Sequence, residues 1–176
     1  MPKQEELVIL VDQNDQPIGE MEKMKAHFEG KLHRAFSVFL YNEEGKVLLQ
    51  RRALSKYHSG GLWTNACCSH PRSGETTEQA AHRRLMEELG VDCEIKEVSH
   101  FTYRAELDHD MIEHEVDHVF TGQLDLEEMP FNPEEVHSTR WISFDDLQKD
   151  IELNPENYTE WFKIIMENVN KNMLFL

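Results

Sequence analysis

The 176 residues predict a single domain of α+β (mixed α/β) class. Three observations carry that reading. The length suits one domain able to bury a core of its own without disulfide staples. Extended, alternating segments stand on both sides of a long loop and a helix. That helix has its own start and stop signals, at Thr76 and Gly90.

Leu7 to Val11 reads as a strand, and Asp12-Gln13-Asn14-Asp15 with Pro17 and Gly19 turns the chain into a second extended piece. Arg34 to Tyr41 is a further strand. Asn42-Glu43-Glu44-Gly45 is a turn, and Lys46 to Gln50 returns as the hairpin partner. Residues 51 to 75 are rich in Gly, Ser and His and read as a long loop, a place where function concentrates. Thr76 and Gln79 have capping-box spacing, and Ala81, Leu85 and Leu89 fall on one helical stripe. Gly90 supplies the left-handed stop. Glu94 to Tyr103 and Glu113 to Thr121 are strand-like, and the acidic, Pro-containing residues 127 to 135 are a loop. Trp141-Ile142 reads as a short strand, with Ser143 and Asp146 spaced to cap a helix after it. An amphipathic helix is expected over about 157–170.

Composition narrows the partners. A net charge of −16 argues against a nucleic-acid footprint, which needs a basic face. A small anion needs only local cations or a bound metal. No apolar run is long enough to span a bilayer, and the MPKQEEL start has no apolar segment of the secretory type. The three cysteines, Cys67, Cys68 and Cys93, are odd in number and two are adjacent, which fits a reduced, cytoplasmic setting.

The chemistry concentrates in Thr64-Asn65-Ala66-Cys67-Cys68-Ser69-His70-Pro71. Here a thiol that can relay a proton stands two residues from an imidazole that can hold a metal. In Glu113-His114-Glu115, alternation puts both glutamates on one face, about 6.5 to 7 Å apart at Cα. Facing inward they would need a cation or a proton between them; facing outward they would be a solvated strand face. His27, His33 and His70 gain meaning as a set with those glutamates, since three imidazoles and two carboxylates suit Mn, Fe or Zn. Arg83 with Glu87 and Arg84 with Glu88 have i, i+4 spacing. They read either as surface ion pairs or as a Mg²⁺-binding Glu88 beside a phosphate-binding arginine. Arg51, Arg52 and Lys56, with Lys23 upstream, form a local basic cluster able to grip a diphosphate.

Residues 69–91 resemble the Nudix box. Ser69 stands at its first Gly, Glu75 at its first Glu and Arg83 at its Arg, while Leu85, Glu87, Glu88, Gly90 and Val91 match the remainder. Arg84 replaces the Glu that follows the Arg, a departure that argues against diphosphate hydrolysis. The chain from about residue 7 to 165 resembles one branch of that superfamily, the type 1 isopentenyl-diphosphate delta-isomerases. The carrying motifs are Lys23…His27…Leu32-His33-Arg34-Ala35-Phe36-Ser37, Arg51-Arg52-Ala53-Leu54-Ser55-Lys56, Trp63-Thr64-Asn65…Cys68-Ser69-His70-Pro71, Arg83-Arg84…Glu88-Leu89-Gly90-Val91, Tyr103-Arg104-Ala105 and Glu113…Glu115-Val116, with Trp161 near the C-terminal helix.

The resemblance implies one compact Nudix-like domain over residues 1–176, a mixed β-sheet packed between helices. It implies interconversion of isopentenyl and dimethylallyl diphosphate in isoprenoid precursor biosynthesis. Cys68, Glu115 and Tyr103 match its catalytic groups. Lys23, Arg52, Lys56, Arg84 and Trp161 match its substrate contacts. His27, His33, His70, Glu113 and Glu115 match its protein-bound metal site, for Mn²⁺, Zn²⁺ or Fe²⁺, and Glu88 matches the ligand of a Mg²⁺ that accompanies the diphosphate. The implied partner is a small prenyl diphosphate, with no nucleic acid and no membrane, in a cytoplasmic monomer or homodimer. The rival readings are a Nudix diphosphohydrolase and a non-catalytic metal or diphosphate binding module. The residue types suit the isomerisation. An alkene is a poor base, so its protonation needs an acid on one face and a base on the other. An aromatic face such as Trp161 can steady the cation.

Overall fold

The computed structural model describes residues 6–175, so the first five residues of the MPKQEEL segment lie outside the described residues. β1 (Leu7–Val11) and β2 (Pro17–Glu22) form an antiparallel pair, turned by Asp12, whose Oδ1 accepts from the backbone N–H of Asn14 at 2.8 Å and of Gln16 at 3.1 Å. α1 (Lys23–Glu29) follows at once and is absent from the expectations above. It spans 7 residues, and its cap is Glu22, whose carboxylate accepts from the N–H groups of Met24 and Lys25. Neither length nor cap type carries the usual signal.

β3 (His33–Tyr41) is the axis of the molecule. It runs parallel to β8 (Ile112–Gln123) along its whole length, from His33 opposite Glu115 to Tyr41 opposite Gln123. On its other edge it meets β6 (Cys67–Ser69) antiparallel. β7 (Lys96–Glu106) lies antiparallel on the far side of β8. The expected hairpin with β4 (Lys46–Arg52) closes only at Tyr41 opposite Val47. Beyond that turn β4 diverges to pair with β9 (Val136–Ser143) and β5 (Trp63–Thr64), because Phe36, Ser37 and Val38 are already bonded to β6. β9 is longer than the two residues expected, and β5 and β6 lie within what reads as loop; such short strands have too few residues for a periodic signal.

Residues of β3 alternate between two cores. Phe36, Val38 and Leu40 join Leu85 and Leu89 of α2 (Thr77–Leu89) on one face, while Phe39 joins Trp161, Phe162 and Ile165 of α4 (Glu160–Asn168) on the other. With both faces covered, β3 reads as a nearly continuous apolar run rather than an alternating one. α3 (Phe144–Leu153) is capped by Ser143; the tail helix expected over about 157–170 is α4, shorter at both ends, and a separate short helix, α5 (Lys171–Leu174), follows it. α2 matches its sequence signals: the Thr76–Gln79 capping box forms in both directions, at 3.1 and 3.0 Å. Gly90 ends it at φ +67°, where a Cβ would also meet the Pro130 carbonyl oxygen at 2.4 Å.

Candidate active site

The strand register gathers the chemistry on the α4 face. Pairing His33 with Glu115, and Glu115 with Tyr103 across β7, sets those three side chains side by side. Alternation along β8 adds Glu113 and Asp117 to the same face, and all four acidic or phenolic groups are buried. The solvated-face reading of Glu113 and Glu115 is thereby excluded. Ser37 pairs with Cys68, so that thiol also faces this side. Cys67, one residue earlier, points through the sheet into the α2 core, where its thiol donates to Glu88 Oε2 at 2.6 Å.

Cys68 donates to Asn65 Oδ1 at 2.9 Å and lies 3.3 Å from Ser37 Oγ, whose hydroxyl donates to Asp117 at 2.8 Å. Tyr103 donates its hydroxyl to Glu115 Oε1. Cys68, Tyr103, Glu115, Arg52, His58 and Trp161 line one cavity, so the thiol and the glutamate face a common space. Trp161 is 4% exposed, with the Arg52 guanidinium 5.0 Å from its ring centre.

The histidines and glutamates form a tight cluster. One ligand atom from each of His27, His33, His70 and Glu113 lies within 4.8 Å of the others. Glu115 Oε2 adjoins it, 2.8 Å from His70 Nε2 and 3.3 Å from His33 Nε2. The hydrogen bonds behind the rings test whether a cation fits. His27 Nδ1 lies 2.7 Å from the Lys23 carbonyl and His33 Nδ1 lies 2.8 Å from the Lys31 carbonyl. A carbonyl only accepts, so both protons sit on Nδ1 and both Nε2 lone pairs point inward. His27 Nε2 then faces Glu113 Oε1 at 2.9 Å, a contact that needs either a proton on Glu113 or a cation between the two atoms. His33 Nε2 and Glu113 Oε2 are buried with no hydrogen-bond partner. A divalent cation satisfies all of these atoms at once, with the backbone bonds fixing the rings as outer partners do at such sites.

A second, strongly polar cavity adjoins the first and shares Arg52, Tyr57, Cys68, Ser69 and His70 with it. Lys23, Lys56, Arg84 and Glu88 line it. Its cations are held by carboxylates: Lys23 by Glu6 at 2.6 Å, Lys56 by Glu135 at 2.7 Å, and Arg84 by Glu87 at 2.7 Å and Glu88 at 3.4 Å. Glu88 is 4% exposed, so the Arg84–Glu88 pair is not a surface pair. Glu75 is engaged by Arg83 at 2.8 Å, away from both cavities.

Burial, then the charge of Asp117, pushes the Cys68 thiol far up, so sulfur keeps its proton. Against its own burial, Glu115 is held well below the carboxylate range by His70 and His33. Burial and the charge of Glu115 raise Glu113 and Asp117 well above it. Burial lowers His27, and lowers His70 to about 4. The neighbouring carboxylates thus divide into protonated and ionised members, as like charges at close range require.

The catalytic, substrate-binding and metal candidates read from the sequence lie in or beside these two cavities, whereas Glu75 and Arg51 line neither. Reasoning from the sequence missed Asp117, His58, Tyr57, Glu6 and Glu135. Asp117 continues the Glu113, Glu115 alternation and was accessible to that argument. His58 and Tyr57 sit in the loop, where no period exposes them, and Glu6 and Glu135 are distant in sequence from the cations they hold.

Comparison with known proteins gives the family and the fold. The NUDIX domain family matches residues 31–162. The chain is 49% identical over 168 residues to the isopentenyl-diphosphate Delta-isomerase of Serratia proteamaculans, covering 96% of this chain and 93% of that one. It is 52% identical over 171 residues to the protein of that name from Photobacterium profundum, covering 94% of each. Among solved structures, DR0079 of Deinococcus radiodurans superposes with a TM-score of 0.78 at 21% identity, over 94% of this chain and 100% of that one. The MutT protein of Methanosarcina mazei gives 0.62 at 19% identity, over 78% and 91%. At those identities the structural likeness establishes the fold alone.

Proposed function

Because the chain belongs to the NUDIX family and, within it, to the isopentenyl-diphosphate Delta-isomerases, its reaction interconverts isopentenyl and dimethylallyl diphosphate, and we propose that Cys68 and Glu115 carry the two proton transfers. The observation that carries this assignment is the common cavity, lined by both a thiol that burial keeps protonated and a carboxylate that its histidine neighbours keep ionised.

Going forward, a proton adds to the terminal methylene of isopentenyl diphosphate and leaves positive charge on the tertiary carbon. Loss of a proton from the neighbouring methylene restores the double bond one position along. One group must arrive loaded and the other empty, and the resting site holds such a pair. Tyr103 orients Glu115 through the bond to Oε1. Asn65 and Ser37 orient the Cys68 thiol. Trp161 offers a π surface to the cation, worth about 0.5 to 2 kcal/mol. With α4 it walls the cavity against water that would trap the cation as an alcohol.

His27, His33, His70, Glu113 and Glu115 would hold one divalent ion, Mn²⁺, Zn²⁺ or Fe²⁺, and Glu88 would hold Mg²⁺ with the substrate. When bound, such ions supply positive charge that neutralises the diphosphate and acidifies what they touch. Lys23, Arg52, Lys56 and Arg84 grip the diphosphate, its oxygens exchanging with the carboxylates now paired to Lys23, Lys56 and Arg84. No described helix is long and apolar enough to cross a membrane. A cytoplasmic setting fits the three free cysteines.

The test is proton NMR of isopentenyl diphosphate with the protein and Mg²⁺ in D₂O. The expected result is migration of the double bond with deuterium uptake and no free phosphate. Phosphate release with the double bond in place would establish hydrolysis instead, and an unchanged ligand would establish mere binding.

A further inference from the structure

His58 has no part in the mechanism above, yet it is 3% exposed and its Nε2 is buried without a hydrogen-bond partner. That atom stands 3.5 Å from Glu113 Oε1, on the wall of the reaction cavity. The loop holds the ring firmly. Arg52 donates to the His58 carbonyl at 3.2 Å, the ring meets Trp161 edge-on at 5.5 Å, and Ser59 is kept at φ +53° with its N–H on Asp108.

His58 differs chemically from the imidazoles of the cluster. His27 and His33 have a carbonyl behind Nδ1, which forces an inward lone pair suited to a metal. Behind His58 Nδ1 is the Ser59 hydroxyl, at 3.2 Å. A hydroxyl, unlike a carbonyl, can donate as well as accept, so it permits the ring proton on Nε2, facing Glu113. His27 carries its proton on Nδ1 and has none to give Glu113 Oε1, whereas His58 Nε2, 3.5 Å from that oxygen, is placed to donate to it.

We propose that His58 is a positioning residue of the metal site, donating Nε2–H to Glu113 Oε1 and fixing that carboxylate for the ion. This rests on the reading of the His/Glu cluster as a metal site. Loss of such an outer partner weakens metal affinity about ten- to a hundredfold.

The test measures Co²⁺ and Zn²⁺ dissociation constants by chelator competition for the full chain and for His58→Ala and His58→Gln. Circular dichroism and melting of the metal-free proteins verify that each variant folds. The expected result is affinity weakened about ten- to a hundredfold in His58→Ala, substantial recovery in His58→Gln, whose amide can donate, and an unchanged Co²⁺ coordination number by absorption. Equal affinity of His58→Ala and the parent overturns the proposal while leaving the metal site intact. A folded His58→Gln as weak as His58→Ala also overturns it. A Co²⁺ spectrum that loses a ligand in His58→Ala makes His58 a direct ligand and overturns the positioning role. Failure of the parent itself to bind either ion overturns the metal reading, and this proposal with it.

Discussion

Cys67 and Cys68 differ by one position and by the whole thickness of the sheet. Strand alternation sends Cys68 toward Glu115 and Cys67 toward Glu88. Cys68→Ala should therefore cut turnover by about a hundred- to ten-thousandfold while the fold persists, as loss of a general acid or base does. Cys67→Ala should cost about 1 to 2 kcal/mol of stability by stripping a donor from buried Glu88, with a far milder effect on turnover. Steady-state kinetics and urea unfolding of both variants check this, and equal turnover in the two would reassign the thiol. His58 makes a pH prediction. Burial, then the charge of Arg52, lowers its pKa from the usual 6.5 to about 2 in the folded, metal-free protein. The unfolded chain therefore binds a proton below about pH 6.5 that the native state refuses, and stability falls as pH falls. His58→Gln does not titrate there. The parent should lose about 2 kcal/mol relative to that variant between about pH 7 and pH 5. Urea unfolding across that range without metal reads the difference, and parallel curves would show that His58 is charged in the native state.

Among the elements, α2 is the most fully specified by local rules. Its cap, buried stripe and left-handed stop are each present in sequence and in structure. Thr76→Ala removes the side-chain acceptor for the Gln79 N–H and should lower stability by about 1 kcal/mol. Because Thr76 lines neither cavity, KM and kcat should hold in the same variant. A fall in kcat with stability intact would show that the cap acts on the site. α1 is the contrary case: a glutamate cap and two buried residues, Ala26 and His27, give it little local identity. Its buried residues Ala26 and His27 pack where only the assembled strands provide a surface for them.

At the scale of the whole molecule, the site joins α1, β3, the loop before β5, β6, β7, β8 and α4, so its metal donors come from segments far apart in sequence. An ion that binds only this assembled arrangement stabilises the native state by mass action, by about 2.7 kcal/mol at a hundredfold excess over Kd. Removing divalent ions with a chelator should abolish turnover and lower the melting temperature, and re-addition should restore both. An unchanged melting temperature after complete removal would disconnect the cluster from metal.

The amino-acid order by itself determined the class of fold, the limits of α2 and the family, because periodicity, caps and short motifs are local properties that survive without a partner. It also exposed the face shared by Glu113 and Glu115, since alternation is a local rule. It could not decide whether that face was wet or dry. That depended on β3 and β8 lying parallel beneath α4, which buries both carboxylates and turns them into a site. The roles of Asp117, His58, Glu6 and Glu135 were likewise decided only in the folded molecule, because each is defined by a partner distant in sequence.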